Sequence, residues 1–295
     1  MRGLADIVAT PAALALGAAA FFGLALVLTQ FGLRHLPPRD GAVVSIGTTA
    51  LLFWVLSPLA LDLSSWNAPA AAVFLAIGLL FPAAVTMLTF EANRRMGPSV
   101  SGALGNLAPL FAVALAALAF GETPDMLQVL GIAAIVVGVA ALSVDRRWLD
   151  TSWPYWAVGL PIAAAAIRGF VQPVMKAGLA MWPSPFAAAL VGYTVSALVV
   201  AGAAARRADG RPDASARRAG IAWFAAVGIC NGTAVLAMYA ALARGPVLLV
   251  APLVATYPLV TLLLAAILWR GAHTTFPRVV GVALTVLGVA VLVGG

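Results

Sequence analysis

The chain alternates long apolar runs with short polar breaks. Ten runs, at approximately 11–33, 41–61, 70–92, 98–119, 127–144, 155–180, 185–205, 219–243, 246–268 and 276–294, reach the length at which a helix crosses a bilayer. Pro37-Pro38, Gly97-Pro98, Gly121 to Pro124, Pro183 to Pro185, Gly245-Pro246 and Pro277 punctuate them. The longest polar stretch, Arg206 to Arg218, is too short to form a domain. The first run, Pro11 to Leu33, exceeds the apolar core of a secretory signal and reads as the first spanning helix. The pattern predicts an all-α membrane protein with ten transmembrane helices.

The runs repeat. Pro109 through Gly121 matches Pro258 through Arg270, Gly131 and Gly138 match Gly281 and Gly288, and Gly97-Pro98 matches Gly245-Pro246, all at nearly one offset. Similar composition alone would align the apolar positions but not the glycines and prolines. The chain therefore divides into two five-helix repeats, 1–150 and 151–295. Five is odd, so the second repeat enters the membrane from the opposite face. Two inverted repeats are the plan of secondary transporters, which hold substrate near the midplane between the halves.

Composition agrees with lipid as the solvent. Residues are 63% hydrophobic and only 9% charged, whereas soluble domains carry about 25% charge. The net charge of +7 does not indicate nucleic acid, because the basic residues fall between apolar runs without interleaved aromatics. They act as topology signals. Arg34, Arg39, Arg94, Arg95, Arg146, Arg147, Arg206, Arg207, Arg211, Arg217, Arg218, Arg270 and Arg278 all follow odd-numbered helices; outside the sixth helix the other face has Arg2 and Arg244. The positive-inside rule then puts the odd loops in the cytoplasm and both termini outside. The single cysteine, Cys230, and two loop histidines, His35 and His273, provide neither a disulfide nor a metal-ligand set. There is no phosphate-cradling glycine loop and no nucleophile–base set, so neither ATP drive nor intramembrane hydrolysis is expected, and no cofactor.

One position breaks the apolar pattern most sharply. Arg168 lies near the middle of the sixth run, where a guanidinium costs between about 2.5 and 17 kcal/mol according to how far it reaches water. Arg168, Gln172 and Lys176 follow at i, i+4 and i+8, one stripe on a helix. An Arg there offers paired hydrogen bonds to a carboxylate or phosphate; the alternative is a structural Arg satisfied by helix carbonyls or by Gln172. Lys176, nearer the helix end, can instead snorkel. Gly169 and Pro173 can interrupt this helix and free backbone groups toward a cavity. Thr86, Thr89 and Asn93 share a face of the third helix, Asn106 and Asn231 are costly in lipid without partners, and Tyr239, Thr256, Tyr257 and Thr261 add further polar groups. Each has packing or interhelical hydrogen bonding as its alternative role. Glu91 beside Arg94 and Arg95 reads as a surface ion pair, and Glu122 as a loop cap or gate. The glycines of helices five and ten permit close backbone approach, either within the core or in a homodimer.

Pro109 through Gly121-Glu122, with Gly131 and Gly138, resembles the drug/metabolite transporter superfamily and its ten-helix EamA-type exporters. Phe22-Gly23 followed by Gln30, and Arg168-Gly169 followed by Lys176, are similar to that family's Trp-Gly and the basic residue seven positions on. Lys176 fits a familiar family position, while Arg168 replaces an aromatic. The second repeat departs at Trp269-Arg270-Gly271, which lacks the acidic end of Phe120-Gly121-Glu122. The resemblance implies a central cavity among helices one, three, four, six, eight and nine, which makes Gln30, Thr89, Asn106, Arg168, Gln172, Lys176, Asn231, Tyr239 and Tyr257 the candidate substrate-binding residues. Small multidrug members of this superfamily bind cations through a mid-membrane carboxylate; no Asp or Glu occupies such a position here, so cationic drugs rank low.

These readings converge on a bacterial inner-membrane transporter working by alternating access. Its expected partners are the bilayer and a small metabolite with an anionic group, amino acids first, moved outward. A phosphorylated or lipid-linked metabolite is the second reading, and a non-transporting membrane scaffold the third.

Overall fold

A computed structural model describes residues 10–142, 153–205, 214–268 and 276–294, and their regular structure is entirely helical. Among the described residues eight helices are long and apolar enough to cross a membrane, and two shorter apolar helices, Ala108–Phe120 and Met126–Leu142, stand at the fourth and fifth of the ten expected positions. The first is Pro11–Gly32 and the second Pro38–Ala60, each opening with proline where a helix needs no donor. Thr10 caps the first by accepting from the Ala13 amide at 3.2 Å. The third span is Ala68–Thr89, the fourth ends as Ala108–Phe120, and the fifth is Met126–Leu142. A 3₁₀ turn, Tyr155–Val158, leads into the sixth, Gly159–Met181. Pro185–Ala205 is the seventh and Ala214–Arg244 the eighth. The ninth is broken into Val247–Val254 and Tyr257–Leu268, and the tenth is Phe276–Gly294.

The join between spans three and four differs from the sequence reading. Gly97-Pro98 does not interrupt the chain; both residues lie inside a helix running Val85–Gly105. The break falls earlier, at Phe81, whose extended backbone (φ −132°, ψ 128°) precedes Pro82. The residue before a proline is biased from the α region toward extended backbone, and Phe81 follows that bias. A second break, at Asn106–Leu107, separates Gly105 from Ala108. The expected division of the repeats at 150/151 lies outside the described residues.

The molecule is inside-out relative to a soluble protein. Leu59, Leu118 and Ile267 are 88%, 84% and 75% exposed, as lipid-facing residues should be. The interior is built from small residues and a few large rings such as Phe53 and Phe74. Buried hydroxyls bridge helices at glycine carbonyls: Thr49 Oγ1 donates to Gly228 O at 2.7 Å and Ser196 Oγ to Gly78 O at 2.6 Å. Lacking a hydrophobic drive between helices, a lipid-embedded bundle relies on such close packing and bonding.

The glycines show the inversion directly. A Cβ on Gly131 would lie 3.2 Å from Gly288 O, and one on Gly138 would lie 2.8 Å from Gly281 O. The lower-numbered glycine of one helix thus meets the higher-numbered glycine of the other, so helices five and ten run antiparallel. The contact is within one chain, which accounts for these glycines without an oligomer.

Candidate functional site

A cavity of about 290 Å³ lies between the two repeats. Its walls come from helices one, two, three, four, six, seven, eight and nine. Breaks in helices supply several wall residues: Phe81 and Pro82 at the third, Gly105 and Asn106 at the fourth, Ala255 and Tyr257 at the ninth. An uninterrupted helix satisfies its own backbone; these interruptions turn small or polar residues toward a space where non-helical backbone is tolerated.

Arg168 is the tenth of the 23 residues of its helix and lines the cavity. It is half-buried. Its Nε donates to Ala164 O, one turn back, at 3.3 Å. Among the described residues no carboxylate lies within ion-pairing distance of it. Its terminal nitrogen reaches toward the fourth helix, where a Cβ on Gly105 would stand 3.1 Å from Nη2. The glycine makes room for the guanidinium.

Gln172, one turn further, also lines the cavity and is 8% exposed. It does not bond Arg168, and its Oε1 is buried without a hydrogen-bond partner. Across the cavity Tyr257 OH donates to Asn106 Oδ1 at 3.3 Å, linking the fourth and ninth helices at their breaks. The Tyr257 ring meets Phe22 edge-on at 6.4 Å. Thr89 and Asn231 complete the candidates that the fold brings to the walls. Residues that the sequence reading did not single out join them: Thr29, Ser45, Phe81, Tyr193, Phe224 and Met238. Ser45 sits in a helix that the family resemblance does not assign to the cavity, and Phe81 lies within the third apolar run, so neither carries a signal beyond its type.

Three candidates lie elsewhere. Gln30 is exposed, and its neighbour Thr29 faces the cavity instead. Each residue rotates a helix by about 100°, so one position decides the face. Tyr239 is 2% exposed, packed in the core beyond the cavity wall that Met238 supplies. Lys176 ion-pairs with Glu122, whose other oxygen accepts the Leu248 amide at 3.2 Å. The Lys176 ammonium also stands 5.5 Å from the centre of the Phe120 ring. Gly121, at φ 65°, ends the fourth helix in the left-handed conformation that glycine adopts freely, and it delivers Glu122 to this cluster. The cluster joins the ends of helices four and six to the start of nine. Glu91 and Arg95 form the expected surface pair at 2.6 Å, with the Arg95 guanidinium 4.3 Å over Trp156. The side chain of Asn93 lies outside the described set. Among the described residues no group of His, Cys, Asp or Glu is arranged to hold a metal.

Comparison with known proteins accords with this architecture. The model of the EamA-like transporter family matches residues 10–144 and 155–294, one match per repeat. A solved structure titled only as the crystal structure of a protein superimposes with a TM-score of 0.76 at 17% identity, covering 95% of each chain, which establishes likeness of fold alone. No curated protein matches by sequence.

Proposed function

Because this chain belongs to the EamA-like transporter family, we propose that it is a secondary transporter that moves a small carboxylate-bearing metabolite, amino acids among them, by alternating access across a bacterial inner membrane. The observation that carries the reading is Arg168: a permanent cation in mid-span, lining a cavity, with no carboxylate among the described residues to neutralise it. Its free nitrogens suit the two oxygens of a carboxylate. Asn106, Tyr257, Asn231 and Thr89 offer neutral hydrogen bonds around it, and Phe22, Leu26, Phe81 and Phe224 offer apolar wall. With Lys176 committed to Glu122, Arg168 is the one cation that the described cavity wall offers a ligand, which favours a carboxylate over a phosphate dianion.

Alternating access draws support from the two ends. The walls reach Thr29 and Gly41, each three residues from a helix end at the odd-loop face. At the other face they stop short of the Lys176–Glu122–Leu248 cluster. That cluster reads as a closed gate tying the first repeat to the second. The charge distribution supports an orientation with the Arg-rich odd loops in the cytoplasm, and outward movement rests on the resemblance to EamA-type exporters.

Uptake into proteoliposomes tests the reading. Arg168→Ala removes charge-assisted hydrogen bonds worth about 1.5–3 kcal/mol, or roughly ten- to hundredfold in affinity. Arg168→Lys, a single-point cation, should recover part of that loss. Full transport of every anionic candidate by both variants would refute the anchor.

A further inference from the structure

Charge balance narrows the cargo further, on the reading of Arg168 just given. Arg168 is the sole charged side chain among the described residues of the cavity wall. At the gate, Glu122 is bound to Lys176 and the Leu248 amide, outside the wall. A monoanion therefore brings the occupied cavity to neutrality. A zwitterion leaves one uncompensated positive charge in the apolar middle of the bundle, and a cation leaves two; both are disfavoured in a low-dielectric site.

The second observation is Gln172. It lines the same cavity one helical turn from Arg168, and its Oε1 is buried and accepts nothing. Residues four apart on a helix are neighbours on one face. A carboxylate held by Arg168 would place the substituent on its adjacent carbon beside this acceptor. An unmet buried acceptor favours the ligand that brings a donor to it.

We propose that the preferred substrate is a small net monoanion whose carboxylate is flanked by an uncharged hydrogen-bond donor, such as a 2-hydroxy acid or an N-acylated amino acid, with Arg168 taking the carboxylate and Gln172 Oε1 the donor. Free zwitterionic amino acids are then secondary ligands. Gln172 acts as the specificity residue between acids that carry the donor and acids that do not.

Three probes on one skeleton separate the elements: phenyllactate, phenylalanine and phenylpropanoate, each titrated by calorimetry against purified protein in nanodiscs. Phenyllactate should bind at least about tenfold tighter than either of the others. Gln172→Leu should abolish the advantage of phenyllactate over phenylpropanoate. Gln172→Glu, nearly the same shape, neutralises the cavity before the ligand arrives and should turn the preference toward phenylalanine. Equal or tighter binding of phenylalanine by the unaltered protein, or an unchanged order in both variants, overturns the proposal. If Arg168→Ala still weakens all three ligands in that event, the anion anchor stands and only the charge-balance step is lost. If none of the three binds, or Arg168→Ala changes nothing, the anchor fails too.

Discussion

Gly169 and Gly105 show how single atoms set this site. A Cβ on Gly169 would lie 2.4 Å from Phe111 Cβ and 2.7 Å from Ala108 O, so helix six rests directly on helix four. Gly169→Leu should force them apart and destabilise the fold by at least about 1–3 kcal/mol, read as a lower midpoint of thermal unfolding in detergent. Gly47→Ala, with nothing within 4 Å of the added carbon, is the control and should change little. Gly105→Ala asks a different question. Its methyl would sit 3.1 Å from Arg168 Nη2, the far end of a flexible chain. The guanidinium should move rather than the fold, costing about 0.5–1.5 kcal/mol of rotamer strain and two- to tenfold in ligand affinity, with the melting midpoint unchanged. Arg168 itself was legible in the sequence because charge in a long apolar run needs a reason. Lys176 was not, because an i+8 spacing fixes a face but not a depth. At 1.5 Å per residue the stripe is about 12 Å long, enough for its end to leave the cavity and meet Glu122. That partner is 54 positions away in sequence, and only tertiary structure reveals it.

The elements carry the gate. The Lys176–Glu122 pair is partly exposed, with side chains 26% and 13% accessible, so solvent screening holds its worth to about 1 kcal/mol. Glu122→Gln should shift the balance of gate states by about fivefold. The readout is a single cysteine at Ala251, a cavity-wall residue of the ninth helix, in a Cys230→Ser background. A membrane-impermeant thiol reagent added from the even-loop face should label it faster in the Glu122→Gln variant. An unchanged rate would mean the pair is structural. The repeat gives an internal contrast: Gln30, at the position matching Lys176, is exposed and uncharged, so it supplies no cation for a matching latch. At this scale the apolar pattern set the number and order of helices, because length and hydropathy are local properties. It misplaced the break between spans three and four, because a proline's effect depends on what precedes it. Gly97 accommodates Pro98 within a helix, while Phe81 before Pro82 takes extended backbone.

The whole molecule is organised by exchange between its halves. A Cβ on Gly23 of helix one would lie 2.7 Å from Val260 Cβ and 2.9 Å from Tyr257 O of helix nine, while one on Gly169 of helix six would meet the matching Phe111 and Ala108 of helix four. Each repeat thus lends its first helix to the other repeat's fourth, and the antiparallel Gly131–Gly288 and Gly138–Gly281 contacts close the arrangement at helices five and ten. Sequence offset alone gave the repeat, but the exchanged contacts required coordinates, since no local signal says which half a glycine will face. An inverted pair of five-helix units has ten spans, which fixes both ends of the chain on one side of the membrane. In the orientation proposed from the arginine bias after odd-numbered helices, that is the outer side. Single cysteines at Thr10 and at Gly294, in the Cys230→Ser background, should therefore both react with an impermeant maleimide in right-side-out vesicles, and one at the exposed Arg34, between helices one and two, should react only after the membrane is opened. Reaction at position 34 with protection at both ends would reverse the orientation, and with it the face to which Lys176 and Glu122 belong, while leaving the inverted fold intact. Reaction at one end only would demand an odd number of spans, which two inverted five-helix units cannot provide.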